Sequence, residues 1–158
     1  MKGRYRVIVQ DKRIRYDFEI CRNITIIRGD SATGKTTLID MIRDYSVNGV
    51  NSSVELQCEK NCTVLDDLRW QAQLSEIHDS LIFIDEANQF AATKEFAEAI
   101  QKTDNYYILV TRRNLATLPY SVTEIYGIHD AGKYGDLKQT YNEMYRIYGA
   151  LRETRELY

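Results

Sequence analysis

The chain has 158 residues, of which 44% are apolar and 28% are charged, and its formal net charge is -2. This length suits one globular domain, and one proline with eight glycines excludes a collagen-like or low-complexity chain. The near-neutral charge provides no bulk attraction to nucleic acid or to an anionic membrane. Apolar runs such as Leu81–Ile84 are too short to span a bilayer. Without a basic-then-apolar leader at the start, we expect a cytoplasmic protein with no membrane partner.

The first 21 residues have the pattern of a β-hairpin. Apolar and polar residues alternate over 5–9 and again over 14–20, with a polar break at 10–12. A period of two on both sides of a short break predicts two paired strands.

Beyond the hairpin, short apolar segments alternate with segments of helical periodicity. The predicted strands are Ile24–Arg28, Val54–Cys58, Leu81–Asp85, Tyr106–Thr111 and Val122–Ile128. The predicted helices are Lys35–Tyr45, Thr63–His78 and Ala91–Lys102. This order predicts an α/β fold of three layers, in which helices cover both faces of a mostly parallel sheet. In such sheets, ligands bind at the carboxyl ends of the strands.

The tail, residues 131–158, is predicted to be helical. Its apolar residues recur three and four positions apart, at Tyr134, Leu137, Tyr141, Met144, Tyr148 and Leu151. Such a stripe serves either as a docking surface for a partner or a second copy, or as a face packed on the chain's own sheet.

Four arginines are predicted to project from one face of the hairpin: Arg4, Arg6, Arg13 and Arg15. They could bind the phosphates of a nucleic acid. Asp17 and Glu19 lie on the same face, and they favour a solvated surface of ion pairs instead.

The cysteines are few. Cys58 and Cys62 have the spacing of half a zinc site, but His78 and His129 do not complete a finger pattern. We expect Cys21 and these two residues to be reduced thiols.

The strongest motif follows the strand Ile24–Arg28 and leads into the helix that starts at Lys35. It has the form G-x-x-x-x-G-K-[ST] and reads Gly29, Asp30, Ser31, Ala32, Thr33, Gly34, Lys35 and Thr36, with Thr37 next in the chain. Glycines let the backbone N–H groups point into one concavity, and the start of the helix adds its positive end. Lys35 would neutralise the β- and γ-phosphates of a nucleotide, and the Thr36 hydroxyl could ligate Mg²⁺.

A second candidate lies at the end of the strand Leu81–Asp85. Asp85 would hold Mg²⁺ through a water, and Glu86 could polarise a water for attack on the γ-phosphate. The alternative is that Asp85 only caps the next helix.

On these two motifs, the chain resembles the P-loop NTPases, within the branch that has an additional strand and a catalytic Glu (AAA-type, RecA-type and ABC-type ATPases). The resemblance covers Ile24 to Ile128, within a nucleotide-binding core of residues 22–130. It implies that the strand Tyr106–Thr111 lies between the strand before Gly29 and the strand before Asp85. It also implies a polar sensor of the γ-phosphate at the end of that strand.

The residues at this position are Thr111, Arg112, Arg113 and Asn114. Thr111 is the first choice for the sensor and Asn114 the second. Arg112 or Arg113 is either an arginine finger or an ordinary surface residue.

The resemblance implies a Mg²⁺-dependent ATPase, acting as a small switch or in an assembly. The chain has no Asn-Lys-x-Asp pattern of GTPases, which favours ATP, and no Leu-Ser-Gly-Gly-Gln signature of ABC-type ATPases. Residues 85–90 are similar to deoxynucleoside kinases of the thymidine kinase type, so a small-molecule kinase is one alternative. A non-catalytic nucleotide-binding module is the other.

Overall fold

The computed structural model describes residues 3–28, 35–66, 68–85, 88–111, 115, 117–119, 124–133 and 140–146. The strands are β1 Tyr5–Gln10, β2 Ile14–Ile20, β3 Ile24–Ile27, β4 Glu55–Gln57, β5 Asn61–Val64, β6 Ser80–Ile84, β7 Tyr106–Val110, β8 Ile125–Lys133 and β9 Thr140–Arg146. The α-helices of this part of the chain are α1 Lys35–Asn48, α2 Trp70–Ser75 and α3 Lys94–Ile100, with short 3-10 helices at Gly49–Asn51 and Gln89–Ala92. The protein is therefore of mixed α/β type.

The nine strands form one sheet in the order β4-β1-β2-β9-β8-β3-β7-β6-β5. The five strands from β8 to β5 are parallel to one another. β7 lies between β3 and β6, which is the order that the resemblance implies.

The predicted hairpin is confirmed as β1 and β2, which pair antiparallel. Its turn is closed by Asp11, whose Oδ1 accepts the backbone N–H of Arg13 at 2.7 Å and that of Ile14 at 2.9 Å. A short acidic side chain that bonds the backbone two residues on is a common way to stabilise such a turn.

The sheet curls back on itself, so that the hairpin covers one face of the parallel strands. In a flat sheet, β2 and β6 would be about 24 Å apart, five strand spacings. The ring centroids of Phe18 on β2 and Phe83 on β6 are 6.4 Å apart. Tyr5 on β1 likewise meets Tyr106 on β7, with centroids 5.2 Å apart.

Two apolar clusters fill the spaces on either side of the parallel strands. The first joins the hairpin to α1, β6 and β7, and its members include Tyr16, Phe18, Ile42, Phe83 and Ile108. The second lies under α2 and α3, and it contains the packed rings Trp70, Phe90, Phe96 and Tyr107. Both faces of the parallel strands are thus covered, but by helices alone on one face and by the hairpin together with α1 on the other, where the sequence predicted helices on both.

Two predictions of secondary structure are wrong. The tail expected to be helical over 131–158 is extended wherever it is described: 131–133 end β8, and 140–146 form β9. β9 pairs with β2 on one side and with β8 on the other, so these residues present no helical docking stripe.

The helix predicted over Thr63–His78 is also wrong in its first half. β5 ends at Val64, and the Leu65 N–H extends the pairing with β6 by bonding the Phe83 carbonyl at 3.0 Å. Leu68 is 98% exposed, and the helix begins only at Trp70.

The contact between Phe18 and Phe83 gives a test of the curled sheet. We expect Phe18→Ala to lower the free energy of unfolding by about 3–5 kcal/mol, because a buried aromatic ring leaves a cavity. Val47→Ala, at a side chain that is 76% exposed, should change it by less than about 0.5 kcal/mol. Urea unfolding followed by circular dichroism measures both. Equal effects of the two substitutions would contradict packing of the hairpin against β6.

Candidate functional site

Three parallel strands end side by side at one edge of the sheet. Ile27 of β3 is paired with Val110 of β7, and Ile84 of β6 is paired with Leu109 of β7. One residue past β7, the backbone N–H of Thr111 donates to the Ile27 carbonyl at 3.0 Å. The residues that follow these strands therefore start from neighbouring points.

Helix α1 begins at Lys35, eight residues after the last residue of β3. Leu38, Ile39 and Ile42 are fully buried and anchor the helix against the sheet. Its first turn has no acidic residue, and Thr36 and Thr37 are exposed there. Since the first turn itself carries no carboxylate, this end of the helix dipole is suited to an anion.

Asp85, directly after β6, is half-buried. Its backbone carbonyl accepts the N–H of Asn88 at 3.1 Å and the side-chain Nδ2 of Asn88 at 3.2 Å. The 3-10 helix that follows, Gln89–Ala92, has no side-chain cap. Among the described residues, no hydrogen bond or ion pair to the Asp85 carboxylate is seen. Within the described residues, the Asp85 side chain therefore does not cap the helix that follows it, which was the alternative interpretation of this residue.

Thr111 is 6% exposed and lies across a small cavity from Asp85. The cavity has a volume of about 20 Å³, which is room for one water molecule. Its polar lining is contributed by Asp85, Asn88, Gln89 and Thr111. The sequence singled out the first and last of these four residues, and the structure brings them to one cavity.

Asn88 and Gln89 were not predicted as site residues. Their position in the sequence could have indicated a role, because these two amide side chains follow shortly after Asp85, the acidic residue at the end of a predicted strand. In the structure, Asn88 closes the turn onto Asp85, and both residues line the cavity. They can orient a water or a polar ligand beside the carboxylate.

Several predicted site residues lie outside the described part of the chain. These are Gly29, Asp30, Ser31, Ala32, Thr33, Gly34, Glu86, Arg112, Arg113 and Asn114. Lys35 is described only through its backbone, as the first residue of α1.

The arginine face of the hairpin is partly neutralised by its own carboxylates. Arg6 donates from Nε to Asp17 Oδ1 at 2.9 Å, and a second bond joins its Nη2 to Oδ2. Arg15 lies 3.8 Å from the same carboxylate and donates to Gln10 at 2.9 Å. Arg4 and Arg13 are exposed. Two of the four arginines are thus engaged within the sheet.

The described residues contain no group of three or more His, Cys, Asp or Glu side chains placed to hold a metal ion. None of the helices in this part of the chain has both the length and the apolar composition needed to cross a bilayer.

Comparison with known proteins found no family model that matches the chain and no curated protein that matches its sequence.

The ion pair between Arg6 and Asp17 predicts a pH dependence of stability. The hydrogen bonds from Arg6 hold the pKa of Asp17 below its usual 3.8. A lowered folded-state pKa stabilises the fold above the unfolded-state value, and this contribution is lost as the pH falls through the folded value. We expect Asp17→Asn to destabilise the protein near neutral pH, and the difference from wild type to narrow below about pH 4.

The matched control is Glu19→Gln, on the same strand, where no hydrogen bond to the side chain is seen among the described residues. The difference in free energy of unfolding between Glu19→Gln and the wild type should change less with pH. Urea unfolding at a series of pH values measures both variants. The ion pair would be contradicted if the free energies of unfolding of Asp17→Asn and of the wild type differed by the same amount at every pH, including below about pH 4.

Proposed function

We propose that this protein is a P-loop NTPase that binds ATP with Mg²⁺ and hydrolyses the bond between the β- and γ-phosphates. The observation that supports it most is the position of Thr111. Its N–H donates to the carbonyl of Ile27, the last residue of β3 and two residues before the G-x-x-x-x-G-K-[ST] motif, and Thr111 shares a cavity with Asp85. The candidate sensor, the candidate metal ligand and the approach to the phosphate motif therefore meet at one edge of the sheet.

Phosphate binding would rest on Gly29–Thr36 and on the start of α1. The helix is 14 residues long, is anchored by buried side chains and has no acidic residue in its first turn. These properties favour the N–H groups of the first turn and the Lys35 ammonium as ligands of a polyanion.

The chemistry of the oxygen donors fits Mg²⁺. The exposed Thr36 at the start of α1 and the half-buried Asp85, whose carboxylate lacks a partner among the described residues, are the side chains that would hold it. Hydroxyl, carboxylate and water oxygens are the ligands this ion prefers. When bound, Mg²⁺ neutralises and orients the phosphate oxygens.

The cavity lined by Asp85 and Thr111 has room for the attacking water. Its volume of about 20 Å³ accommodates one water molecule beside the Asp85 carboxylate. Glu86, the next residue after Asp85, would take a proton from the attacking water as general base. Thr111, with Asn114 as the alternative, would orient the water or the γ-phosphate. Arg112 or Arg113 would stabilise the developing charge, on its own site or on a neighbouring copy.

Nucleotide binding can be tested at the first residue of α1. We expect Lys35→Ala to weaken ATP binding at least about tenfold, because a charge-assisted hydrogen bond to phosphate is lost. Lys94→Ala is the matched control, since Lys94 is exposed and is the first residue of α3. Isothermal calorimetry with ATP and Mg²⁺ gives both affinities. No heat of binding to the wild type would rule out the proposal, and equal affinities of the two variants would remove Lys35 from the site.

Hydrolysis can be tested separately from binding. We expect Glu86→Gln to keep ATP affinity and to lower phosphate release by about 10²–10⁴-fold, because the general base is lost. Thr111→Val preserves side-chain shape and should lower turnover without unfolding the protein. Phosphate release is measured at several protein concentrations, with and without DNA, because an ATPase that acts in an assembly reaches its full rate only with its partner.

Three outcomes separate the proposed ATPase from its alternatives. Unchanged phosphate release in Glu86→Gln would exclude Glu86 as the base. Turnover that needs an added small hydroxyl compound would favour a kinase. Tight binding without release under every condition would favour a non-catalytic nucleotide-binding module.

A further inference from the structure

The turn that follows β6 carries a side chain whose hydrogen bond is not needed to close the turn. The Asp85 carbonyl accepts two bonds from Asn88, one from its backbone N–H at 3.1 Å and one from its side-chain Nδ2 at 3.2 Å. The backbone bond closes the turn by itself. The effect of the second bond therefore falls on the direction in which the Asn88 amide points.

This second bond fixes the orientation of the Asn88 amide. A backbone carbonyl oxygen can only accept, so the amide atom that faces Asp85 is the nitrogen, and Oδ1 is left for another partner. No hydrogen bond to Oδ1 is seen among the residues that the structure describes. Asn88 is half-buried and lines the cavity shared with Asp85 and Thr111. Its Oδ1 is thus the amide atom that can accept a bond from a molecule in the cavity.

Aromatic packing holds the residues after Asn88 in place. Phe90 stacks on Trp70, with ring centroids 5.3 Å apart and ring planes 13° apart. Ala91 is buried in the apolar cluster under α2 and α3. The 3-10 helix Gln89–Ala92 is therefore anchored on the core, and Asn88 stands on a rigid support, as a positioning side chain requires.

Among the polar groups that line the cavity, Asn88 Oδ1 is a neutral acceptor with a fixed direction. The Asp85 carboxylate is assigned to Mg²⁺ in the proposed site, and the Thr111 hydroxyl can donate as well as accept. Gln89 also lines the cavity, but its side chain is exposed and no hydrogen bond to it is seen within the described ranges. Asn88 can therefore hold a water without taking its proton.

We propose that Asn88 positions the attacking water of ATP hydrolysis, by accepting one O–H of the water at Oδ1 while Glu86 accepts the other. This role rests on the proposed ATPase function. The cavity, about 20 Å³ in volume, holds the one water that the step needs. With both O–H groups directed at acceptors, a lone pair of the water oxygen faces the γ-phosphorus, which is the geometry required for attack.

The Asn88 amide takes no part in the transfer of protons. The water oxygen forms a bond to the γ-phosphorus as the bond from that phosphorus to the β–γ bridging oxygen breaks, and the electron pair of the broken bond leaves with ADP. The proton goes to Glu86, which later releases it to solvent. ATP and water thus become ADP, inorganic phosphate and one proton.

The full chain is tested with Asn88→Ala, in which the backbone bond to the Asp85 carbonyl remains. We expect kcat for phosphate release to fall about tenfold to hundredfold, because the water is no longer held in line. ATP affinity, measured by isothermal calorimetry, should stay within about twofold of wild type. The Mg²⁺ concentration that gives half of the maximal rate should stay within the same limit.

Asn48→Ala is the matched control. Asn48 is the exposed last residue of α1, and its Nδ2 donates to Asp44 at 2.6 Å, so a similar amide hydrogen bond is lost away from the cavity. Its kcat should equal that of the wild type. Asn88→Asp is a second test variant that keeps the size of the side chain, but an ionised carboxylate cannot donate to the Asp85 carbonyl. Its kcat should also fall, which keeps the test decisive if Asn88→Ala does not fold.

Two results would overturn the role of Asn88 and leave the ATPase function standing. The first is a kcat equal to that of the wild type in the folded Asn88 variants. The second is a lower kcat with a raised Mg²⁺ requirement, because Asn88 would then act on Asp85 and not on the water. A wild type that binds no ATP or releases no phosphate would instead overturn the ATPase function, and the role of Asn88 with it.

Discussion

The structure depends on the complete burial of three neighbouring strands. Every residue of β3, β6 and β7 is buried, so both faces of these strands must be covered by apolar side chains. The hairpin and α1 cover one face, while α2 and α3 cover the other. The faces are therefore occupied by packing, and polar groups can gather only where the strands end.

This constraint explains which elements could be predicted from the sequence. A run such as Leu81–Ile84 is apolar at every position, and Tyr106–Val110 repeats that pattern, so each indicates a strand buried on both faces. The hairpin could be predicted from alternating apolar and polar residues because one of its faces packs on the core while the other is exposed to solvent. In each case the local pattern and the tertiary environment require the same structure.

The errors arise where partners distant in the chain decide the conformation. Tyr141 and Met144 are three residues apart, a spacing that suits a helix, but residues 140–146 are drawn into the sheet between β2 and β8. Met144 there packs against the cluster under the hairpin. The spacing of apolar residues around position 144 does not reveal that β2 has a free edge to pair with. Whether a segment forms a strand depends strongly on such neighbours in the fold. Leu65 is a similar case. Its backbone bonds β6, so the chain stays extended through Leu65 and α2 begins further along than the apolar spacing predicts.

The candidate site shows the same division between local and distant information. That Asp85 and Thr111 each follow an apolar strand could be read directly from the sequence, whereas their convergence required the order β3-β7-β6. Asn88 and Gln89 reach the cavity through a turn closed on the Asp85 carbonyl, a contact that residue types alone do not specify. Because parallel strands end at a common edge, residues 26 positions apart in the chain line one water-sized space. The hydrogen bond from Thr111 to Ile27 then joins one wall of that space to the strand that leads into the glycine-rich motif.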